Sequence, residues 1–440
     1  MRRIGRRQFV TASLGAAAAA ATTARRSAAA PDRITLGVIG LGNRGTSWVK
    51  DLASRDGVQI AYLCDVDTTR FERAAGTVDS AGLPSPKQVQ DFRRILDDPT
   101  VQAVVVATNY HWLALATILA CQAGKDVYVE KPGSHNVWEA RKMVEAARKH
   151  GRVVQVGLQG RSAAYMQQAR DYVRSGKLGE LHLVRVLSMN EERLRPKGPD
   201  TPPPATLDWD AWCGPAPVQP YSPGTWHVNR FDYGVGRIVD DLVHQADTAV
   251  YITGLGAPQT VANAGGVYHY KDGRDFPDTQ LTTFEYPGLK MLFQSTLWAQ
   301  YIRETPSVVR DGDLFPDWLL NGTKVELFGT EGMMLVGPHG AGWQVYDNDQ
   351  KIVASSYGRR GDKEHMSNFL ECVRSRKRPI ADVEDAFPSM LLCHLGNVSW
   401  RAGDRKLSYD AATGWIRNDP QANAFMQRRG RRPWLIPDEV

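Results

Sequence analysis

The stretch "RITLGVIGLGNRGTSWVKDLASR", residues 33–55, constrains the fold more than any other part of the chain. Residues 33–39 form a short apolar run suited to a strand buried on both faces. Gly40, Gly42 and Gly45 follow at G-x-G-x-x-G spacing, and the residues after them have helical periodicity. In this context glycines permit a tight turn and close backbone approach, while the helix N-terminus offers unpaired N–H groups to a pyrophosphate. Gly40, Gly42, Asn43, Arg44 and Gly45 are therefore the expected phosphate-binding residues of a dinucleotide site. A second apolar run, "VQIAYLCDVD", places Asp65 twenty residues past Gly45. A carboxylate there accepts hydrogen bonds from the adenosine ribose and repels a 2′-phosphate, which favours NAD over NADP. Arg70, close by in sequence, leaves NADP open.

The alternation continues. Helices are expected at 68–77, 91–98, 111–123 and 136–150, with strands at 101–108, in "DVYVEKP" and in "RVVQVG". Strands alternating with helices imply a doubly wound parallel sheet, whose ligands lie beyond the carboxyl ends of its strands. Thr108, Asn109, Tyr110, His111, Glu130, Lys131 and Pro132 fall at such ends, and all of them but Tyr110 are expected to meet the nucleotide. Lys131 is placed where a nicotinamide ring would lie. Pro132 stops its strand and stiffens the turn that aims the lysine.

At 440 residues the chain should hold two domains. Its net charge of +6 is carried by residues 1–29, where Arg2, Arg3, Arg6, Arg7, Arg25 and Arg26 occur with no acid. No nucleic-acid partner is inferred from a surplus so placed. Arg6-Arg7, Phe9 and the alanine-rich run after them resemble a twin-arginine export signal, although Gly5 stands where Ser or Thr is usual. Cleavage after Ala29, a partnership with the export machinery and a periplasmic or other extracytoplasmic location are expected; the other reading is a plain basic N-terminus. The five cysteines show no paired spacing, which suits thiols of a chain folded in a reducing cytoplasm, and no metal site is expected.

Together the glycine loop, Asp65 and "EKP" at 130–132 resemble the Gfo/Idh/MocA oxidoreductases, named for glucose–fructose oxidoreductase and inositol dehydrogenase. "DYGVGRIVDDLVHQADTAVYITG", residues 232–254, is similar to that family's Gly-rich turn and D-x-x-x-H-x-x-D helix, here Asp240, His244 and Asp247. The resemblance implies a signal peptide at 1–29, an α/β Rossmann domain at 30–158 and an α+β domain at 159–440. The second domain would hold a large, open, mainly antiparallel sheet, through which a homo-oligomer is expected. It also implies Lys131, Asp240 and His244 as the catalytic set. Residues four apart share a helix face, so Asp240 and His244 should enter one cavity together. Histidine can take a hydroxyl proton near neutral pH, and a cationic lysine can stabilise the alkoxide.

The expected activity is hydride transfer between NAD or NADP and a hydroxyl carbon of a sugar, polyol or sugar derivative. The alternative is a glycoside-cleaving enzyme that oxidises, eliminates and returns the hydride. A non-catalytic sugar sensor would be expected to lose Lys131 or His244, and the chain keeps both. Between the two halves, residues 193–234 are rich in proline and tryptophan, as expected of a long loop. Trp209, Trp226 and Arg230 there, with Tyr301 further on, are the candidates for binding the carbohydrate. The aromatics have a second reading, packing the loop onto the protein.

Overall fold

The computed structural model describes residues 33–192, 195–428 and 430–440. The expected signal at 1–29 lies outside them.

The first layer is a six-stranded parallel sheet made of β1 (Ile34–Ile39), β2 (Val58–Cys64), β3 (Lys87–Val89), β4 (Ala103–Val106), β5 (Asp126–Val129) and β6 (Val154–Val156). Its order is β3-β2-β1-β4-β5-β6, with β1 pairing in parallel to both β2 and β4. The order reverses at β1, and a crevice opens there at the strands' carboxyl ends. Strands β4 and β5 are buried along their whole length, which their unbroken apolar runs require. Helix Asn43–Ala53 buries Trp48, Val49 and Leu52, while helix Tyr110–Gln122 is apolar all round and buried all round.

Three elements differ from expectation. The helix expected at 68–77 begins as a 3₁₀ turn, Thr68–Arg70, in which the Asp67 carboxylate accepts from Thr69 N; only then does helix Phe71–Ser80 start. The helix expected at 91–98 is a single turn, Arg93–Leu96. Edge strand β3, short and polar, gave no apolar signal.

The second layer is a ten-stranded sheet. Its strands are β7 (Leu181–Met189), β8 (Thr260–Gly266), β9 (Thr279–Tyr286), β10 (Leu289–Thr296), β11 (Thr323–Gly329), β12 (Gly332–Val336), β13 (Trp343–Tyr346), β14 (Ile352–Ser356), β15 (Leu407–Asp410) and β16 (Trp415–Ile416). The order is β14-β13-β12-β11-β7-β10-β9-β8-β15-β16, and pairing is antiparallel except for β7 with β10. Along β9 exposure alternates: Gln280, Thr282 and Phe284 turn inward, Leu281 and Thr283 outward. Helices Leu242–Thr253 and Val383–Arg401 share one apolar core with this sheet and with helix Val137–Lys149 of the first layer.

Beyond residue 158 the chain returns to cover the first layer. Helix Asp362–Ser375 contributes Met366, Phe369 and Leu370 to the cluster that holds Leu36, Val38 and Trp48. A parallel sheet needs both faces covered, and this late helix supplies part of that cover. A buried ion pair binds the layers further: Arg161 Nη2 donates to Asp247 Oδ1 at 2.6 Å, and Ser389 Oγ donates to the same oxygen at 2.7 Å. Asp247, the last residue of the helix motif, is thus structural.

Candidate active site

The glycine loop opens the first cavity. Gly40 has φ +87°, and a Cβ there would lie 2.7 Å from Ala107 O. A Cβ on Gly45 would meet Gly40 O at 1.8 Å, whereas Gly42 faces open space. The three positions thus provide a tight turn, a clear approach and close helix–strand packing, which fits a dinucleotide pyrophosphate. In front of them lies a cavity of about 520 Å³, lined by Gly40, Gly42, Asp65, Thr108 and Asn109 among others. Asp65 is fixed at its rim by backbone donors, Leu41 N to Oδ2 at 2.7 Å and Asp67 N to Oδ1 at 2.9 Å. Burial pushes its carboxyl above the ordinary range, against the pull of those two N–H groups and Arg70. Asp67 and Asp91 also line the cavity, while Arg70 and Arg93 are engaged with them at 3.4 and 2.7 Å. Three carboxylates with their neighbouring cations occupied disfavour a 2′-phosphate.

The other wall comes from far along the chain. Leu207, Trp209, Trp212, Tyr221 and Trp434 line the same cavity. Asp208 N donates to Val66 O at 3.0 Å and Thr68 N to Thr206 O at 2.9 Å, so the proline-rich segment is stitched to the end of β2.

Strand β5 ends at the second cavity. Glu130 is buried and accepts from Arg44 Nε at 2.8 Å and Trp48 Nε1 at 2.7 Å, tying the glycine-loop helix to the strand end. The Lys131–Pro132 peptide is cis, and Gly133 has φ +84°. Lys131 Nζ donates to Asp240 Oδ1 at 2.6 Å and to Asp240 O at 2.8 Å. Tyr110 OH donates to the same carboxylate oxygen at 2.8 Å. Burial works against the charge on Lys131, but Asp240, Asp241 and Glu130 outweigh it and hold the ammonium above its ordinary pKa. Burial likewise opposes the charge on Asp240, and Lys131 with Arg237 keeps it below the usual carboxylate value.

The expected shared face of Asp240 and His244 is broken. Asp240 ends a one-turn helix, Arg237–Asp240, and Asp241 (φ −103°) interrupts before helix Leu242–Thr253. Asp240 turns to Lys131 and Tyr110. His244 instead lines a cavity of about 310 Å³ with Lys131, Asp241, Glu304, Arg310 and His339. Burial, His339 and Lys131 hold its imidazole well below the usual histidine pKa, so it is neutral and able to accept a proton. Asp241 accepts from Ser188 Oγ at 2.8 Å and pairs with Arg237 at 3.0 Å. Glu304 accepts from Arg237 and Arg310 at 3.0 and 2.9 Å. Among the described residues, no group of three or more His, Cys, Asp or Glu is placed to hold a metal ion.

The first sheet and part of the second fall within stretches that resemble known proteins. Residues 34–158 match the Gfo/Idh/MocA model described as "Oxidoreductase family, NAD-binding Rossmann fold", and residues 320–436 match its "C-terminal alpha/beta domain". The chain belongs to this oxidoreductase family. It is 26% identical over 296 residues to a glycosyl hydrolase family 109 protein of Shewanella pealeana, covering 62% of this chain but only 59% of that protein. It is 22% identical over 366 residues to myo-inositol 2-dehydrogenase of Thermotoga maritima, covering 81% of this chain and 93% of that one. The WlbA dehydrogenase of Bordetella pertussis, solved with NADH and UDP-GlcNAcA, shares the fold: its TM-score is 0.62 at 18% identity, over 86% of this chain and 99% of that one.

Several expected residues of this Gfo/Idh/MocA chain sit elsewhere. His111 is fully buried, its Nε2 2.9 Å from Trp212 O and its ring against Trp212 and Tyr233, so it anchors the tryptophan segment instead of facing a nucleotide. Arg44, Glu130 and Lys131 line the second cavity rather than the first, with Arg44 paired to Glu130 and Asp362. Asn43 is exposed at the start of its helix, and Pro132 is buried behind Lys131. None of the four carbohydrate candidates lines the cavity of Lys131. Trp209 faces the glycine-loop cavity; Trp226 Nε1 donates to Asp272 O at 3.0 Å; Arg230 pairs with Asp275 at 2.9 Å; Tyr301 is exposed. The cause is the docking of Leu207 against Asp67, which carries the segment onto the nucleotide side. Tyr110 was placed at a strand end by the sequence, but its bond to Asp240 was not foreseen, and sequence reasoning missed Asp241, Glu304, Arg310 and His339. Only His339, flanked by glycines in "GPHGAG", carried a local signal of a turn.

Proposed function

We propose that this chain is an NAD-dependent dehydrogenase acting on a hydroxyl carbon of a sugar, polyol or sugar derivative. The observation that carries the reading is the ammonium of Lys131, held by Asp240 at the end of β5 where it lines one cavity with a neutral His244. Gly40, Gly42, Asp65, Thr108 and Asn109 would hold the dinucleotide. When bound, it supplies the hydride acceptor. Lys131 then stabilises negative charge on the substrate oxygen, and His244 takes the hydroxyl proton as the carbonyl forms. Asp240 and Tyr110 keep the lysine aimed and charged.

Relatives named for inositol and levoglucosan dehydrogenases support this substrate class. Relatives named as family 109 glycosyl hydrolases support a second reading, in which oxidation is transient and a glycoside is cleaved. The test is incubation of the purified protein with NAD, free sugars and aryl glycosides, following NADH and aglycone separately. Net NADH supports the dehydrogenase; aglycone without net NADH supports the glycosidase; no dinucleotide bound and neither product would refute both.

The leader supports export as a folded unit, to be tested by locating a tagged chain with and without Arg6 and Arg7. The outward Leu281 and Thr283 of β9 lie on the open sheet face through which self-association is proposed, and solution mass measurement tests it.

A further inference from the structure

The cavity of Lys131 contains a residue no motif announces. His339 sits on the turn between β12 and β13, with its ring centroid 4.6 Å from that of His244 and the two planes 72° apart. The turn is held rigidly. The buried Tyr165 OH donates to Gly337 O at 2.7 Å and accepts from Gly340 N at 3.0 Å, closing both sides of it. Gly340 has φ +96°, and a Cβ there would lie 2.6 Å from Arg310 O, so the turn is packed as well as bonded.

Besides the carboxylates of Glu130, Asp241, Glu304 and Asp362, cations and imidazoles surround this ring. The cations are spoken for: Arg44 by Glu130 and Asp362, Arg310 by Glu304, Arg360 by Asp311, and Lys131 by Asp240. The imidazoles are not. Among the described residues neither His244 nor His339 makes a side-chain hydrogen bond, although both line the cavity. Burial holds the His339 ring down at about 4, so near neutrality it carries one N–H donor and one bare nitrogen. That pair of functions matches a hydroxyl, which both donates and accepts, while the cavity's carboxylates, with its cations already paired, disfavour an anionic substrate group.

We infer that His339 is a specificity-determining residue that binds the substrate hydroxyl adjacent to the one oxidised at His244, and that the substrate is an uncharged vicinal diol. The inference rests on the dehydrogenase reading above. Two facing imidazoles on separate, rigid elements set the spacing of two neighbouring oxygens. A substrate without the second hydroxyl leaves the His339 ring buried against an apolar group, which is costly in a site built for a hydrogen bond.

The test uses purified, NAD-loaded protein with methyl glucoside, its monodeoxy analogues, myo-inositol, a monodeoxy inositol and glucuronate. NADH formation is measured for the wild type and for His339→Ala and His339→Asn, with thermal melts and NAD binding as controls of folding. The wild type should prefer a fully hydroxylated substrate to a deoxy analogue by roughly tenfold or more in kcat/KM. His339→Ala should abolish that preference mainly through KM, and His339→Asn should restore part of it. An unchanged preference in a folded His339 variant, or a wild-type preference for glucuronate, would overturn the inference while leaving the dehydrogenase standing. Wild-type turnover of none of these substrates would remove both.

Discussion

Replacing Lys131 by methionine keeps the length and apolar stem of the side chain and removes only its charge and donors. In the native arrangement Nζ satisfies both Asp240 Oδ1 and the Asp240 carbonyl. After the change Asp240 retains the Tyr110 hydroxyl and the nearby Arg237 guanidinium. Removing one partner from a fully buried pair costs about 3–5 kcal/mol. Here the two side chains keep 24% and 31% of their exposure, so solvent screening reduces the stability loss to about 1–2 kcal/mol. The catalytic loss should be larger. A single donor removed from a developing oxyanion costs on the order of 10²–10³ in kcat, about 3–4 kcal/mol. NAD affinity should stay within about threefold, because Lys131 lies outside the glycine-loop cavity. Steady-state kinetics with NADH absorbance, NAD titration by protein fluorescence and a melting curve read the three quantities separately. A folded, NAD-binding Lys131→Met protein with turnover near wild type would refute the placement of charge at the reacting oxygen. Asp240→Asn supplies the signed control. Asp240 is the foremost charge raising the Lys131 pKa, so its loss lowers that pKa and moves the alkaline limb of kcat to lower pH.

Acid should destabilise the fold steeply. Burial pushes His111 and His394 down to about 3 and His365 to about 4, against an ordinary 6.5, so these rings are neutral in the native state while the unfolded chain protonates them. Their contribution is intact above pH 6.5 and is lost as pH falls toward 3–4; at about pH 5 the three together change stability by up to roughly 4 kcal/mol per pH unit, checked by chemical denaturation across that window. Trp209→Ala and Trp434→Ala should each weaken NAD binding by roughly 5- to 100-fold while sparing kcat, since both rings line the dinucleotide cavity and neither lines that of Lys131; NAD titration and saturating kinetics separate the two. Arg161→Met should cost about 3–5 kcal/mol in unfolding free energy, because it strands Asp247 in a site where both partners keep 5% of their exposure or less.

What the sequence disclosed follows the range of the interactions involved. The glycine loop, Asp65 and the end of β5 were legible because each is a local grammar: an apolar run, a turn that demands glycine, and a helix that must start there. The Lys131–Asp240 pair was reachable only through resemblance, as its partners are 109 residues apart. The direction of His244 was misjudged for a smaller reason. Helical spacing places Asp240 and His244 on one face only if the helix is continuous, and the break at Asp241 sends them to different neighbours. The tryptophan-rich segment misled more deeply, because aromatic composition states that a surface will be covered and not which surface. Its destination is fixed by backbone hydrogen bonds from Asp208 to Val66 and from Thr68 to Thr206, which no residue identity encodes. The consequence bears on the chemistry. With Trp209, Trp212, Tyr221 and Trp434 on the glycine-loop cavity, and the Tyr165 hydroxyl of the Lys131 cavity bonded to its turn, that cavity offers ion pairs and two unbonded imidazoles, so on the proposed reading substrate selection there falls to hydrogen bonding rather than to stacking on a sugar face.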